Sequence, residues 1–193
     1  MGFLVPALLK VAHFKKNRPE TAGKVQILVI APTRELAMQS DVVCREVAEC
    51  GAKNGANVSR SVCIYGGVSK GEQKGALRKG VECVVATPGR LLDLVEEGSL
   101  DLSYVKYLVL DEADRMLDEG FEPAIRQIMS NCPTHAQGRQ TVMFSATWPE
   151  EIRTLAAKYL KQDVVRVVVV RDYVLCFYVW KAVTLCQCCH IPY

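Results

Sequence analysis

The chain has 193 residues, enough for one domain with a proper buried core. Half of them are hydrophobic, which excludes a disordered polymer. Lys and Arg number 24 against 21 Asp and Glu, so the net charge of +3 argues for no particular partner and falls below the footprint of a strong nucleic-acid binder.

The apolar opening Phe3 to Leu9 lacks a preceding basic region and is interrupted by Pro6, so it fits neither a signal peptide nor a membrane span. Pro6 also stands where a myristoylation signal beginning at Gly2 requires Ser or Thr. The chain therefore reads as intracellular. The polar stretch His13 to Lys24, with Lys15, Lys16, Asn17, Arg18, Pro19 and Gly23, reads as a solvated loop. Beyond it, apolar β-rich runs predict strands at about 25–31, 58–65, 82–86, 105–110, 140–145 and 164–170. Apolar residues at three- and four-residue intervals predict helices at roughly 33–50, 69–79, 90–97, 121–131 and 149–160. Such alternation is the signature of a parallel sheet covered on both faces. Residues 1–170 are thus expected to form one α/β domain, and 171–193 an apolar, cysteine-rich tail of different character.

Cys44, Cys50, Cys63, Cys83 and Cys132 are spread through the strand and helix patterns and read as small buried hydrophobes or helix-face thiols. The cluster Cys186-Gln187-Cys188-Cys189-His190 has soft ligands but spacing too tight for an ordinary zinc site, and no second ligand pair nearby.

Five short segments fall at predicted strand ends. Pro32-Thr33-Arg34-Glu35 follows the first strand, with Thr33 placed to cap a helix and Arg34 to reach an anion. Gly66-Gly67 follows Tyr65 and offers close backbone approach. Thr87-Pro88-Gly89-Arg90 puts a hydroxyl, a guanidinium and a helix amino terminus at one anion-sized spot. Asp111-Glu112-Ala113-Asp114 emerges from the run Tyr107 to Leu110 at the carboxyl end of a strand, where open α/β sheets bind ligands. One carboxylate there suits Mg²⁺ and its neighbour suits an attacking water. Ser145-Ala146-Thr147 follows the strand Gln140 to Phe144; its two hydroxyls can bond a neighbouring carboxylate or start the turn.

In this order and spacing the segments resemble the amino-terminal RecA-like lobe of the DEAD-box ATP-dependent RNA helicases, over residues 3 to about 170. The resemblance implies an α/β fold of the P-loop NTPase type, a three-layer sandwich with a parallel sheet. It implies Mg·ATP as cofactor, with Asp111 holding Mg²⁺ through water and Glu112 orienting or deprotonating the hydrolytic water. Asp114 would pair with the segment containing Ser145 and Thr147, which in the family couples hydrolysis to strand separation. Pro32, Thr33, Arg34, Glu35, Gly66, Gly67, Thr87, Pro88, Gly89 and Arg90 would line the RNA path and hold the sugar-phosphate backbone without reading sequence. Trp148 after the Ser-Ala-Thr segment, with Tyr65-Gly66-Gly67-Val68, is similar to the members associated with ribosomal RNA processing and RNP remodelling. That implies RNP or pre-ribosomal proteins as partners, no membrane, and a nuclear or nucleolar home, with the cytoplasm as the alternative.

Two family features are not found in the 193 residues. No A-x-x-G-x-G-K-T segment occurs, and the Gly-Lys pairs or near pairs at Gly23-Lys24 and Lys70-Gly71 lack the glycine loop and the following Ser or Thr. The family's second lobe has no counterpart after residue 170. On this view the first strand with its P-loop is lacking. That strand is expected between those carrying the acidic tetrad and the Ser-Ala-Thr segment, which leaves two inner edges unpaired and a marginal or self-repairing sheet. The 23 residues from Arg171 show no helical or strand periodicity. The expectation is a helicase lobe that does not turn over ATP alone. A non-catalytic RNA-binding fragment and an aberrant gene product without stable function remain the alternatives.

Overall fold

The computed structural model describes residues 3–17, 19–53, 60–171 and 174–179, with side chains over 3–11, 19–50 and 60–168. In chain order the elements are α1 (Leu4–Asn17), a 3-10 turn (Pro19–Thr21), β1 (Ile27–Ile30), α2 (Arg34–Lys53), β2 (Ser61–Ile64), α3 (Lys70–Arg78), β3 (Cys83–Ala86) and α4 (Pro88–Glu96). They continue with β4 (Tyr107–Leu110), α5 (Ala113–Asp118), α6 (Glu122–Ser130), β5 (Gln140–Ser145), α7 (Glu150–Tyr159), β6 (Arg166–Arg171) and β7 (Val174–Val179).

The strands form one sheet in the order β2-β3-β1-β4-β5-β7-β6. The first five are parallel, with Ile30 level with Ala86 and Leu110, Ala86 with Ile64, and Leu110 with Met143. Every residue of β1, β3 and β4 is buried, as the continuous apolar runs require of strands covered on both faces. Alternation then divides the core in two. Leu28, Ile30, Val84, Leu108 and Leu110 face the layer of α4, α6 and α7 through Leu91, Leu94, Ile125, Ile128 and Ile152. Ile27, Val29, Val85, Tyr107 and Val109 face α1 and α2 through Leu4, Leu8, Val11, Ala37 and Cys44. The result is the expected three-layer α/β sandwich with a parallel core.

The structure departs from the sequence reading in four places. No helix was expected before residue 33, yet Leu4–Asn17 forms α1, which takes in part of the stretch from His13 read as loop. Its face Leu4, Ala7, Leu8 and Val11 is buried, and a helix once nucleated extends at low cost until proline approaches; here it ends two residues before Pro19. The tetrad opens a short helix, α5, that apolar periodicity did not pick out. Third, β4 and β5 are direct neighbours, paired from Tyr107↔Gln140 to Leu110↔Met143, so no gap separates the tetrad strand from the Ser-Ala-Thr strand and the expected unpaired inner edges are not there. Finally, Val174–Val179 is a strand, paired antiparallel along all of β6 and with Phe144 and Ser145 of β5. Its Val, Phe and Tyr residues favour a pleated surface, and an antiparallel partner adjacent in sequence is the least costly pairing to close. The Cys186 to His190 cluster lies outside the described residues.

Of the five scattered cysteines, Cys44, Cys83 and Cys132 are buried, Cys63 is half-buried and Cys50 exposed. All five are free thiols. Burial pushes the Cys63 and Cys132 thiols up to about 12, as expected of inert packing residues.

Candidate functional site

Because the parallel strands end in register, the loops that follow β2, β3, β1, β4 and β5 all emerge at one end of the sheet, in that spatial order. Chain order already keeps the two sets of loops apart, and sheet order changes only the arrangement within the first, from β1-β2-β3 to β2-β3-β1. Gly66-Gly67, Thr87 to Arg90 and Pro32 to Glu35 stand side by side on one half of this end. The tetrad at 111–114 and the Ser145 to Thr147 segment occupy the other half.

On the first half, Thr33 accepts the Leu36 amide at 3.3 Å and caps α2, while Pro32 is buried and Arg34 and Glu35 open the helix at the surface. Gly67 has φ +87°, a conformation side-chain-bearing residues avoid, and a methyl added there would stand 2.6 Å from Arg34 Nη1. The Arg34 guanidinium therefore lies against the glycine loop. Gly66 and Gly89 show the opposite: a methyl on either would meet nothing within 4 Å. Their small size is not demanded by the chain's own packing, and it leaves room for a ligand's backbone to approach. Thr87 precedes α4 with Pro88 at the first helical position, and its hydroxyl is not used to cap the helix.

Arg90 is spent differently from the sequence expectation of a free guanidinium. Its side chain is 11% exposed and Nη1 donates to the Val68 carbonyl at 3.0 Å and to Gln73 Oε1 at 3.3 Å. Gln73 was not singled out from the sequence. A lone polar residue on the inner face of α3 beside Ala76 and Leu77 was the only sign of it.

On the second half, the Asp111 amide donates to Ile30 O at 2.9 Å, which fixes the strand end, and its carboxyl sits partly buried. Burial, reinforced by the neighbouring Glu112 carboxylate, pushes Asp111 above the ordinary aspartate range. Glu112 adopts φ 53°, ψ 55°, and is the only non-glycine residue with positive φ among those described. Left-handed backbone costs a side-chain-bearing residue roughly 1–2 kcal/mol. That strain sits on Glu112, whose carboxylate lies 3.6 Å from the Arg115 guanidinium. Asp114 joins the two loops: its Oδ2 accepts both the amide and the hydroxyl of Thr147 at 2.9 Å. Ser145 is buried, and its hydroxyl donates to the Thr147 carbonyl at 2.8 Å.

Among the described residues no cluster of three or more His, Cys, Asp or Glu suffices to hold a metal alone. Asp111 nonetheless suits a divalent cation brought in with phosphates, since a partly buried carboxylate raised by desolvation gains from a nearby positive charge. The larger concavities among the described residues lie elsewhere. One of about 460 Å³, lined by Gln26, Lys106 and Gln137, opens at the amino ends of the strands, and one of about 560 Å³, lined by Arg45, Arg60 and Lys79, flanks β2.

A parallel α/β sheet with carboxylates and hydroxyls on adjacent strand ends, and a guanidinium-glycine surface beside them, defines a RecA-like lobe. The family model described as DEAD/DEAH box helicase matches residues 1–155. The chain is 52% identical over 158 residues to the ATP-dependent RNA helicase DBP3 of Cryptococcus neoformans, covering 81% of this chain and 25% of that protein. It is 47% identical to the DEAD-box ATP-dependent RNA helicase 5 of Oryza sativa, covering 88% and 31%. The crystal structure of the yeast DEAD-box splicing factor Prp28 superposes with a TM-score of 0.69 at 35% identity, covering 78% of this chain and 35% of that one. The chain belongs to the DEAD-box RNA helicase family, and spans a quarter to a third of the length of these relatives.

Proposed function

We propose that this lobe grips the RNA backbone through the loops of β2, β3 and β1, and serves Mg·ATP through those of β4 and β5, as one half of an ATP-dependent RNA helicase. The observation that carries the proposal is the sorting of five loops into two adjoining groups, bridged at 2.9 Å by Asp114 and Thr147. Arg34, the Gly66 and Gly67 backbone, Thr87 and Gly89 would face phosphates, a contact that positions a strand without reading bases. Pro32, Thr33, Glu35, Pro88 and Arg90 would shape that path rather than all touch it. Mg·ATP, when bound, supplies the transferable phosphoryl group and the metal that neutralises its charge. Asp111 would hold the metal through water, and Glu112 would orient or deprotonate the attacking water. Asp114 with Thr147, supported by Ser145, would report the state of the nucleotide loop to the neighbouring strand. No P-loop segment occurs among the 193 residues, so these residues by themselves are expected not to turn over ATP. Kinship with a protein named a splicing factor supports work on RNPs in the nucleus or nucleolus.

The test uses the purified chain. A labelled single-stranded oligouridine should bind with affinity that falls steeply with salt, and RNA-stimulated phosphate release should equal that of Glu112→Gln. Absence of RNA binding would sink the RNA assignment. Phosphate release that Glu112→Gln abolishes would show the lobe to be active alone.

A further inference from the structure

Gln73 sits on α3, outside the segments that the family likeness singles out, and is 6% exposed. Its Nε2 donates to the Tyr65 carbonyl at 2.9 Å, and its Oε1 accepts from Arg90 Nη1 at 3.3 Å. The same Arg90 nitrogen donates to the Val68 carbonyl at 3.0 Å. Tyr65 and Val68 flank Gly66-Gly67, so the carbonyls on both sides of the glycine pair are tied, through one carboxamide and one guanidinium, to the first turn of α4.

The amide orientation follows from its partners. A carbonyl can only accept and a guanidinium can only donate, so a flipped amide would set oxygen against oxygen and nitrogen against nitrogen. Glutamine alone among side chains of this length offers one donor and one acceptor. Glutamate would meet the Tyr65 carbonyl without a proton, and methionine or leucine would satisfy neither partner while filling the same space. Arg34 also lies against Gly67, its Nη1 2.6 Å from where a methyl would project. The glycine loop is thereby held between α2, α3 and α4.

We infer that Gln73 is a positioning residue that locks the Gly66-Gly67 loop to the amino end of α4, so that the two loops meet an RNA backbone as one rigid surface. This rests on the RNA-binding proposal above, and it adds that affinity depends on a residue that touches no RNA.

The experiment compares the 193-residue chain with Gln73→Met, Gln73→Glu, Arg90→Met and the double variant Gln73→Met/Arg90→Met. Amide spectra report Gly66, Gly67 and Val68, and anisotropy of a labelled oligouridine reports RNA binding. Gln73→Met keeps the packing volume. It should shift the Gly67 and Val68 amides and weaken RNA about tenfold, the order expected when a buried acceptor loses its donor. Gln73→Glu, which keeps the bond to Arg90, should restore part of that loss. The double variant should bind little worse than Arg90→Met, because both changes break one linkage. Wild-type affinity in Gln73→Met with unmoved loop amides overturns the inference, as do losses in the two single variants that multiply in the double. If the unaltered chain binds no RNA while the Gly67 amide still moves in Gln73→Met, the RNA proposal falls and the mechanical link between the loops stands.

Discussion

Alanine at Gly66 and at Gly67 should have opposite consequences, although the residues are adjacent in one loop. At Gly67 the backbone stands at φ +87° and a new Cβ would lie 2.6 Å from Arg34 Nη1. The guanidinium is the end of a flexible side chain and can move, so the lasting cost is the left-handed backbone, about 1–2 kcal/mol. Reduced entropy of the unfolded chain returns about 0.4–1 kcal/mol of that, leaving a net loss near 1 kcal/mol. For a domain of this size that is a fall of roughly 2–4 °C in melting temperature. At Gly66 a methyl meets nothing within 4 Å and no positive φ stands in its way, so alanine should leave stability unchanged or slightly raised. RNA affinity separates the two further. Gly66→Ala puts its methyl on the surface proposed to meet the phosphate backbone, and should weaken oligouridine binding with no loss of stability. Thermal melts by circular dichroism and an RNA titration on each variant decide the matter. Equal melting temperatures in the two variants, or a destabilised Gly66→Ala, would refute the assignment of strain to Gly67.

Asp114→Ala should release Thr147: its amide ought to exchange with solvent about tenfold faster while the melting temperature shifts little, since the contact is at the surface and each such bond contributes about 1 kcal/mol. Unchanged exchange at Thr147 would mean the bridge does not form in solution. Glu97 accepts hydrogen bonds from Lys70 and Lys74, which hold its carboxyl down to about 2 and tie α3 to α4. A depressed carboxyl stabilises the fold above the ordinary glutamate range and loses that contribution as pH falls toward its own value. Nuclear magnetic resonance titration should therefore find Glu97 ionised well below pH 4, and Lys70→Met should return it toward ordinary glutamate; a normal midpoint in the unaltered chain would contradict the network.

Much of this molecule is decided by local pattern. Apolar runs such as Ile27 to Ile30 and Tyr107 to Leu110 can be buried on both faces only as inner strands, and the three- and four-residue spacing in α2, α4, α6 and α7 can only be a helix stripe. The candidate segments were legible for the same reason, since each is a short string of residue types at a strand end. The acidic tetrad, the Ser-Ala-Thr segment and the threonine and glycine loops were all found in this way. α1 as a whole was not expected, because its apolar opening is interrupted by Pro6 and its polar residues from His13 resemble a loop, whereas helix propagation depends on the turn already formed.

What only the tertiary structure decided is lateral order. Periodicity says which face of a strand is buried but nothing about which strand lies beside it, because neighbours are chosen by crossover helices packing across the sheet. Hence a gap was expected between β4 and β5, where Tyr107 to Leu110 in fact pair with Gln140 to Met143, and β7 went unforeseen. Lateral order also sets the glycine and threonine loops beside the acidic ones, and by laying β3 next to β2 it brings Gln73 to Arg90. Gln73 bonds two groups, both reached through space rather than as neighbours along the chain, and one of them is a main-chain carbonyl, which no side-chain pattern records.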